Sequence, residues 1–491
     1  MLLLLGLCQA KRYIVLFKHD ISQASIQSHA DWLETAEVRG DTIKGFGVGG
    51  VRGYSADMPE SVANEIRKRE DVLSIEENAE YRIQIDRDQE YAGASYPHFL
   101  REEYDIEYFA PLNSTANESQ QSIEKSEKKV KKISTQHNII KGRRPFRKNP
   151  VKKIYRPHRN KPHPLFGFSK EDGNSGRKIA LPPKENIQPI SQRTMFKKLH
   201  YPFTSKNLAA RGSVPWGLSR MSQGKTVYAL DTFVYPKSAG KGVYVYVLDT
   251  GIEAEHSELK GKVERGINIV EGNLEPRDDH GHGTHCAGII AGNTVGVAKN
   301  ATLIPVKILT SEGKGSTEFA VLGLIYAMKS YHQRIKTEKH PRAVVNMSLG
   351  GIKSEILKEI AKRAIATGLT IVAAGGNDAS NACGYSPASI HQVITVGAVN
   401  REDDIAEFSN TGECIDVYAP GVEIVSSFLN NTMKALSGTS MAAPHVSGLA
   451  ALYLGEQYME PHKLKMLIKS DAHTSDMIRI ATAKILNLRL E

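Results

Sequence analysis

Between Pro215 and the carboxyl terminus, short runs of β-branched and small residues alternate with longer amphipathic stretches. Residues 318–333 and 355–368 have the apolar periodicity of helices. The intervening runs have strand character and end in turn residues: VYVYVLD (243–249), AVVNMSL (343–349), TIVAAGG (370–376) and QVITVGAV (392–399). Strands that alternate with helices pair in parallel, and the helices cover both faces of the sheet. We therefore predict an α/β fold with a mainly parallel twisted sheet, whose chemistry collects at the carboxyl ends of its strands.

Residues 12–82 have the pattern of a separate, smaller α+β unit. Strand and helix character follow one another in this order: RYIVLFK (12–18), ASIQSHADWLETA (24–36), the glycine-rich FGVGGVRGYSADM (46–58), SVANEIRKRE (61–70) and VLSIEENAEYRIQI (72–85). The last segment is typical of a single closing strand. A β-α-β-β-α-β order predicts a small ferredoxin-like sandwich.

The first ten residues, MLLLLGLCQA, form an apolar run that ends in a small residue before Lys11 and Arg12. This pattern predicts a secretory signal peptide with cleavage near Ala10, and a buried N-terminal strand is the alternative. No later segment reaches the ~18 consecutive apolar residues that a membrane helix needs. We therefore expect a secreted chain without a membrane span.

A basic segment separates the two folded parts. Residues 121–211 contain 24 Lys or Arg against 5 Asp or Glu, a net +19, which leaves −9 for the rest of the chain. Its Lys, Arg and Pro composition lacks apolar periodicity and predicts a disordered linker over 86–211. Nucleic-acid binding is one use of such charge. We disfavour it, because a secreted protein meets little nucleic acid and the dibasic sites suit proteolytic removal.

The chain has four cysteines, which limits the number of disulfides that it can form. Once Cys8 is lost with the signal peptide, three remain, namely Cys286, Cys383 and Cys414. In an oxidising compartment two of them pair and one stays a free thiol.

Three distant segments have the residue types and the chain order of a catalytic triad. Asp249 ends a predicted buried strand, where a carboxylate needs hydrogen-bond donors. The histidine cluster HGHGTHC (280–286) follows, and Ser440 lies in SGTSMAAPHVSGLAALYL (437–454), at the start of an apolar helix. The helix N-terminus offers free N–H groups and a dipole that favours negative charge. Carboxylate, imidazole and hydroxyl in this chain order suit nucleophilic catalysis.

The histidine cluster also permits a metal site. His280, His282 and His285 lie within six residues and are followed by Cys286. A fourth ligand other than Cys286 is not evident, and the helical H-E-x-x-H motif of zinc proteases is absent. We disfavour the metal site and expect His280 to be a surface loop residue and His285 to be structural.

Five motifs in order give the C-terminal part a family resemblance: DTGIEAEHSEL, GHGTHCAGIIAG, NMSLGG, AAGGN and GTSMAAPHVSGLAA. Together with PWGL (215–218), they resemble the secreted subtilisin-like serine proteases, specifically the proteinase K-like branch. The resemblance covers 212–491. Residues 12–82 resemble the inhibitory propeptide of the same proteases. The predicted domains are the signal peptide (1–10), the inhibitory propeptide (11–85), the basic linker (86–211) and the peptidase domain (212–491).

The resemblance assigns roles within the site. His282 is implied as the catalytic base for Ser440, oriented by Asp249, and Asn377 with the backbone N–H of Ser440 as the oxyanion donors; the alternative for Asn377 is a turn residue. The two implied edges that bind substrate backbone and wall the S1 pocket are Ser348, Leu349 and Gly350 on one side and Ala374, Gly375 and Gly376 on the other. No catalytic cofactor is implied. The residues after Ser348 lack the acidic pattern of kexin-type convertases, which disfavours a dibasic specificity.

The resemblance also implies structural features around the site. Cys286 corresponds to a free thiol beneath the catalytic imidazole, and an inert buried cysteine is the alternative. Cys383 and Cys414 resemble a disulfide pair of related subtilases. The carboxylate of Asp416 and the carbonyls of His391 and Val393 resemble a structural calcium site, with a simple loop aspartate as the alternative.

The leading hypothesis is therefore a secreted, monomeric serine endopeptidase that acts on protein or peptide substrates and is made as a self-processed zymogen inhibited by its own propeptide. A catalytically inactive subtilase scaffold used for binding is the alternative. We expect an extracellular or cell-surface location, with a vacuole- or lysosome-like compartment as the alternative. We expect propeptide cuts at both ends of the linker, near 83–90 and near 209–211. Five sequons permit glycosylation: Asn113, Asn117, Asn300, Asn346 and Asn430. We expect Asn346 to be buried and unused.

Overall fold

The structure is a computed structural model that describes residues 10–36, 38, 40–86, 208–222, 232–273, 275–475 and 478–482. The predicted signal peptide, apart from Ala10, and nearly all of the predicted basic linker lie outside these residues. Residues 11–77 form what we call the N-terminal module, and the described residues of 208–482 form the C-terminal module. A short strand, β5 (Glu80–Ile83), follows the N-terminal module.

The N-terminal module is a four-stranded antiparallel sheet with two helices. Its elements are β1 (Lys11–Phe17), α1 (Gln23–Thr35), β2 (Lys44–Val48), β3 (Val51–Met58), α2 (Glu60–Ile66) and β4 (Val72–Glu77). The strand order β2-β3-β1-β4 is that of the predicted ferredoxin-like sandwich. Buried side chains of both helices pack on one face of the sheet, among them Ile26, Leu33 and Ile66, which gives the module its own hydrophobic core.

The predicted closing strand at 72–85 is divided in the structure. β4 ends at Glu77, and β5 begins at Glu80 and pairs with the C-terminal module instead of with β1. The turn between them is held by that module, since the Asn78 side-chain oxygen accepts from the backbone N–H of Glu318 at 2.8 Å. The single-strand prediction was wrong because these contacts lie 240 residues away in the sequence.

The C-terminal module contains the remaining elements. In chain order they are β6 (Leu208–Arg211), α3 (Trp216–Arg220), β7 (Phe233–Pro236), β8 (Val243–Asp249), β9 (Ile267–Asn268), α4 (His282–Ala291), β10 (Thr302–Lys307), β11 (Lys314–Ser316), α5 (Thr317–Thr337), β12 (Arg342–Met347), β13 (Leu349–Ile352), α6 (Glu355–Ala366), β14 (Thr370–Ala374), β15 (Tyr385–Ser386), β16 (Ile394–Val399), β17 (Val417–Pro420), β18 (Ile424–Phe428), β19 (Thr432–Leu436), α7 (Thr439–Glu456), α8 (Pro461–Asp471), β20 (His473–Ser475) and β21 (Ile478–Ile480).

A nine-stranded sheet organises this module, in the order β20-β21-β17-β16-β14-β12-β8-β10-β9. Every pair from β21 to β9 is parallel, and only the β20–β21 pair is antiparallel. On β8 the side chains of Val245 and Val247 pack in the core that contains α7, whereas Tyr246 and Leu248 pack in the core that contains α5 and α6. Both faces of the sheet are therefore covered by helices, which confirms the predicted fold class.

No helix in the described part of the chain combines the length and apolar character needed to cross a bilayer.

Candidate active site

Asp249 is the last residue of β8, which lies inside the large sheet between β10 and β12. Its side chain is fully buried. The Oδ1 atom accepts from the backbone N–H of Thr250 at 2.7 Å and lies 2.7 Å from Nδ1 of His282. Such donors offset the cost of removing a carboxylate from water. The sheet thus holds a charged group against one ring nitrogen of His282.

His282 begins α4, and the turn that leads into this helix is organised by a second carboxylate, Asp278. Asp278 Oδ1 accepts from the backbone N–H of Gly281 and from the Thr250 hydroxyl, both at 2.8 Å. Asp278 Oδ2 accepts from the backbone N–H and the hydroxyl of Thr284 at 2.9 and 2.6 Å. Side-chain acceptors at a helix N-terminus satisfy backbone donors that have no partner within the helix. Asp278 therefore fixes the backbone position of His282 relative to β8.

The charge state of His282 reflects two opposing effects. Burial alone would lower its pKa, but the Asp249 carboxylate outweighs burial and holds the pKa of His282 well above the ordinary value of 6.5. The other ring nitrogen, Nε2, is buried and has no hydrogen-bond partner among the described residues. With Nδ1 bound to Asp249, Nε2 is the atom left to exchange a proton with a neighbouring group.

The other two histidines of the cluster have different surroundings. His285 Nε2 donates to the carbonyls of Ile424 and Lys434 at 3.0 and 2.9 Å, and burial lowers the pKa of His285 to about 3. It is a neutral side chain that ties α4 to β18 and β19, in agreement with the expected structural role. His280, expected at the surface, is half-buried, and its ring centroid lies 6.3 Å from that of His282.

Cys286 lies one turn after His282 and is a buried free thiol. Its Sγ is 3.9 Å from Nδ1 of His282 and 3.5 Å from the carbonyl oxygen of Ser440. Burial raises the pKa of the Cys286 thiol and keeps it protonated. Asp249, His282 and Cys286 are near enough to share an ion. A metal would have to break the short hydrogen bond between Asp249 and His282 and deprotonate the thiol, so these residues fit a metal poorly.

Ser440 is the second residue of α7, at the end of the helix where backbone N–H groups are free. Its hydroxyl donates to the carbonyl of Ser348 at 2.9 Å and accepts from the backbone N–H of Gln84 at 2.9 Å. Its own N–H donates to the carbonyl of Gln84 at 3.0 Å. The hydroxyl is therefore next to a peptide carbonyl whose oxygen already points at the helix N-terminus.

Asn377 follows β14, and its amide is oriented by Thr439. Asn377 Oδ1 accepts from the backbone N–H and the hydroxyl of Thr439 at 3.0 and 2.8 Å. The same hydroxyl accepts from the N–H of Gly376 at 3.1 Å. Because Oδ1 is occupied, the donor atom Nδ2 is directed away from Thr439; it is buried without a partner among the described residues. The arrangement suits a donor held ready for an oxyanion.

The strand β5 lies between two strands of the C-terminal module, as a bound substrate strand would. It pairs antiparallel with β13, where Leu349, Gly350 and Gly351 face Ile83, Arg82 and Tyr81. On its other side it pairs antiparallel with β11. Tyr81 and Ile83 are buried against the C-terminal module. Of the predicted edge residues, Leu349 and Gly350 thus pair with this strand, and Ser348 binds the Ser440 hydroxyl.

Gln84 continues from β5 and reaches the second predicted edge. Its side-chain oxygen accepts from the backbone N–H of Asn377 at 3.1 Å, just after Ala374, Gly375 and Gly376. A Cβ atom at Gly350 would lie 3.2 Å from Gln84 Nε2, and a Cβ atom at Gly438 would lie 2.2 Å from the Gln84 carbonyl oxygen. Glycine at these two positions leaves room for the side chain and the carbonyl. The chain continues past Ser440, where Asp86 N donates to the Ser437 carbonyl at 2.8 Å.

The N-terminal module and the turn that follows it, at Asn78 and Ala79, dock on the N-termini of two helices of the C-terminal module. Glu76 Oε1 accepts from the first two backbone N–H groups of α6 at 2.7 and 3.0 Å. Asn78 binds the second N–H of α5, and the Ala79 carbonyl accepts from its first N–H at 2.9 Å. Arg12 Nε and Nη2 donate to the carboxylate of Glu318 at 2.5 and 2.9 Å. These contacts satisfy helix donors that would otherwise lack partners and fix where β5 begins.

The predicted calcium ligands meet, but around a lysine. Lys465 Nζ donates to the carbonyls of His391 and Val393 at 2.6 and 2.7 Å and lies 2.7 Å from Asp416 Oδ2. Lys469 Nζ lies 2.7 Å from Asp416 Oδ1. With two ammonium groups on their oxygens, these residues fit a calcium ion poorly. Lys465 could not be predicted as part of this cluster, because it comes from α8, 49 residues after Asp416.

The cysteines pair as the resemblance implies. Cys383 and Cys414 form a disulfide with a Cα–Cα distance of 5.4 Å, and Cys286 is free. The bridge joins the segment after β14 to the segment before β17.

Sequence reasoning also missed two residues that orient the site. Asp278 had the acidic character of a helix cap before HGHGTHC, and Thr439 stood at a helix start, so both carried a capping signal. That signal predicts a cap but not the neighbours that the cap positions, namely Thr250 and Asn377.

Two protein-family profiles match the chain. The subtilase family (peptidase S8) matches residues 240–485, and the peptidase inhibitor I9 family matches residues 12–84. The subtilase match contains Asp249, His282 and Ser440. The inhibitor match covers the N-terminal module and β5.

Curated proteins of similar sequence are named as subtilisin-like proteases. The chain is 46% identical over 244 residues to the subtilase-type proteinase psp3 of Schizosaccharomyces pombe, a match of 49% of this chain and 53% of psp3. It is 39% identical over 277 residues to the subtilisin-like serine protease Rho m 2.0101 of Rhodotorula mucilaginosa, covering 56% of this chain and 80% of that protein. It thus spans about half the length of psp3 and most of the Rhodotorula protein.

A solved structure supports the same assignment. The chain matches the crystal structure of a cold adapted subtilisin-like serine proteinase with a TM-score of 0.51 and 36% sequence identity, over 56% of this chain and all of that one. The profile match, the sequence relatives and the shared fold agree with the arrangement of Asp249, His282 and Ser440, and the chain belongs to the subtilase family.

Proposed function

We propose that this protein is a serine endopeptidase made as a zymogen, and that its first substrate is its own peptide bond between Gln84 and Ile85. The observation that carries the proposal is the position of Gln84. Its carbonyl oxygen lies 3.0 Å from the Ser440 N–H, and its N–H lies 2.9 Å from the Ser440 hydroxyl. The flanking strand β5 is held in antiparallel register on both sides, which is how an extended peptide adds to a sheet edge.

The proposed reaction follows from the groups around that carbonyl. His282 Nε2 removes the proton from the Ser440 hydroxyl, whose oxygen attacks the carbonyl carbon of Gln84. Charge that develops on the carbonyl oxygen is stabilised by the Ser440 N–H and by Asn377 Nδ2. His282 then gives its proton to the departing amine of Ile85. Water attacks the ester left at Ser440 in the same way and releases Gln84 as a carboxylate.

One rearrangement must precede the attack. The Ser440 hydroxyl donates to the Ser348 carbonyl, and His282 Nε2 has no partner among the described residues. The hydroxyl must therefore rotate from Ser348 to His282 before it loses its proton. Asp249 favours that step because it stabilises the imidazolium that forms.

For the second cut, at the end of the basic segment, we place the bond on the amino side of Leu208. A cut near 209–211, as predicted from the sequence, would fall within β6 (Leu208–Arg211), which pairs with β7. A protease needs its substrate extended and unpaired, and β6 meets that need only if it first leaves β7. We therefore propose that the mature chain begins at or before Leu208.

We propose a secretory-pathway location. The Cys383–Cys414 disulfide supports it, because such bonds persist in oxidising compartments. Of the sequons, Asn346 is fully buried in β12, as expected, and is closed to glycosylation. Asn300 and Asn430 are exposed, and Asn113 and Asn117 lie outside the described residues. The alternative of an inactive scaffold has no support from the site, since Asp249, His282, Ser440 and Asn377 all have suitable positions.

The experiment is expression of the full chain and its Ser440→Ala variant in a host that lacks related proteases. Intact mass analysis and N-terminal sequencing should find a fragment beginning at Ile85 in the parent and none in Ser440→Ala. Hydrolysis of a reporter peptide should also be lost in the variant. Ser257→Ala, at an exposed serine whose described hydrogen bonds are made by its backbone, is the matched control. A fragment that begins at Ile85 in Ser440→Ala at the parental rate would refute self-cleavage.

A further inference from the structure

The site that resembles a calcium site has a complete set of contacts to an ammonium group. Lys465 Nζ has three N–H donors, and it has three acceptors within 2.7 Å: the carbonyls of His391 and Val393 and one carboxylate oxygen of Asp416. Lys469 occupies the other carboxylate oxygen. Asp416 Oδ2 also accepts from the backbone N–H of Thr395 at 3.0 Å. The donors and acceptors of this cluster are therefore matched.

The charges of the cluster disfavour a divalent ion. The single carboxylate of Asp416 faces two ammonium groups, so the local charge is already positive. Calcium needs six to eight oxygen ligands at about 2.3–2.6 Å. It would have to displace Lys465 from all three oxygens while Lys469 remains opposite. A buried ammonium that loses its carboxylate is costly.

The ammonium group of Lys465 connects α8 to the large sheet. Lys465 and Lys469 lie four residues apart on α8, on the same side of the helix. His391 and Val393 immediately precede β16, and Asp416 immediately precedes β17. The side chain of Lys465 is 14% exposed and that of Asp416 is 8% exposed. The two lysines thus join α8 to the entry points of two neighbouring strands of the large sheet.

We propose that the Lys465 ammonium is the resident cation of this site, that it joins α8 to β16 and β17, and that the site takes up no calcium. A metal ion stabilises a fold only to the extent that its solution concentration exceeds its dissociation constant. A cation on the chain itself is always present. This part of the protein therefore keeps its stability in a calcium-poor compartment or in a chelator.

The first test compares thermal unfolding of full chains that all carry Ser440→Ala, which prevents self-digestion. In EDTA, Lys465→Ser should lower the melting temperature by roughly 5–10 °C, since two carbonyls lose their donor and the buried Asp416 carboxylate loses one of its two ammonium partners. Lys463→Ser, an exposed lysine on the same helix, is the matched control and should leave the melting temperature unchanged. An unchanged melting temperature for Lys465→Ser would overturn the proposal that Lys465 joins α8 to β16 and β17.

The second test asks whether calcium binds at Asp416 and allows for calcium sites elsewhere in the protein. The rise in melting temperature on exchange of EDTA for CaCl2 is measured for the parent chain and for Asp416→Asn. We expect the same rise in both, because calcium acts on neither at this site. A larger rise in the parent would show that calcium binds at Asp416 despite Lys465 and would overturn the proposal. This comparison does not depend on the folding of the Lys465→Ser variant.

Discussion

Replacement of Glu318 by alanine should weaken the binding of the N-terminal module to the protease. Glu318 lies in the first turn of α5 and is 3% exposed in the complex. Its carboxylate receives two hydrogen bonds from Arg12 and one from the Ser55 hydroxyl at 2.7 Å. Burial would raise the pKa of Glu318, but these donors outweigh burial and lower it, so the group is charged in the complex. Glu318 is thus the partner of a desolvated, bidentate ion pair across the interface.

The loss of binding free energy in Glu318→Ala depends on the solvent exposure and the carboxylate partner that Arg12 keeps. Truncation of one partner of a buried, hydrogen-bonded charge pair at an interface costs about 2–5 kcal/mol. Arg12 keeps 22% side-chain exposure and a second carboxylate, Asp57, at 3.0 Å, so the lower part of that range applies. A loss of about 2–3 kcal/mol corresponds to an inhibition constant that is roughly 30- to 150-fold higher.

The assay is inhibition of the mature protease by a separate polypeptide covering 11–84, followed with a reporter peptide. Glu318→Ala is compared with the parent and with Glu255→Ala, a side chain that is 80% exposed and paired only with Lys260 among the described contacts. Uninhibited kcat/KM should match in all three proteins. An inhibition constant for Glu318→Ala within threefold of the parent would refute the reasoning, as would an equal weakening in Glu255→Ala.

Three further results are expected of the mature enzyme. Asn377→Ala should lower kcat about 10²- to 10³-fold with little change in KM, because its buried Nδ2 has no partner among the described residues and can donate to a developing oxyanion. An unchanged kcat in steady-state assays would exclude that role. Because Asp249 raises the pKa of His282, the base is neutral only above that raised pKa, so kcat/KM should fall as the pH drops through it. In Asp249→Asn this limb of the pH profile should move to lower pH and kcat should fall about 10⁴-fold, and a limb that stays in place would contradict the assignment. Thiol titration of denatured, unreduced mature protein should find one reactive cysteine, Cys286, since the bridge over 31 residues closes the other two; three would contradict the disulfide.

The reactive groups could be predicted from sequence because each lies within a local motif. Asp249 ends a buried strand and Ser440 enters an apolar helix, and strand and helix periodicity indicated both positions. The choice of His282 among the three histidines of its cluster came from the family resemblance. The disulfide followed from family resemblance alone.

The sequence could not supply the contacts between distant segments. The division of 72–85 depends on Asn78 reaching α5, and periodicity along β4 and β5 carries no information about that partner. The calcium prediction was based on the acceptors His391, Val393 and Asp416. Their positions in the sequence do not show that the fold brings the Lys465 ammonium to them. A lysine on α8 is one of many in the sequence until the packing of α8 is known.

The turn at Asn78 and Ala79 gives the zymogen a molecular ruler. Its upstream end is fixed on the N-terminus of α5, and the Gln84 carbonyl five residues beyond Ala79 is the one that reaches Ser440. One extra residue within β5 would bring the carbonyl of the present Ile83 to Ser440 and turn the buried faces of Tyr81 and Ile83 outward, since side chains alternate along a strand. Under the proposed self-cleavage, the length of this segment chooses the first bond to be cut, and the identity of the residue at that bond is secondary.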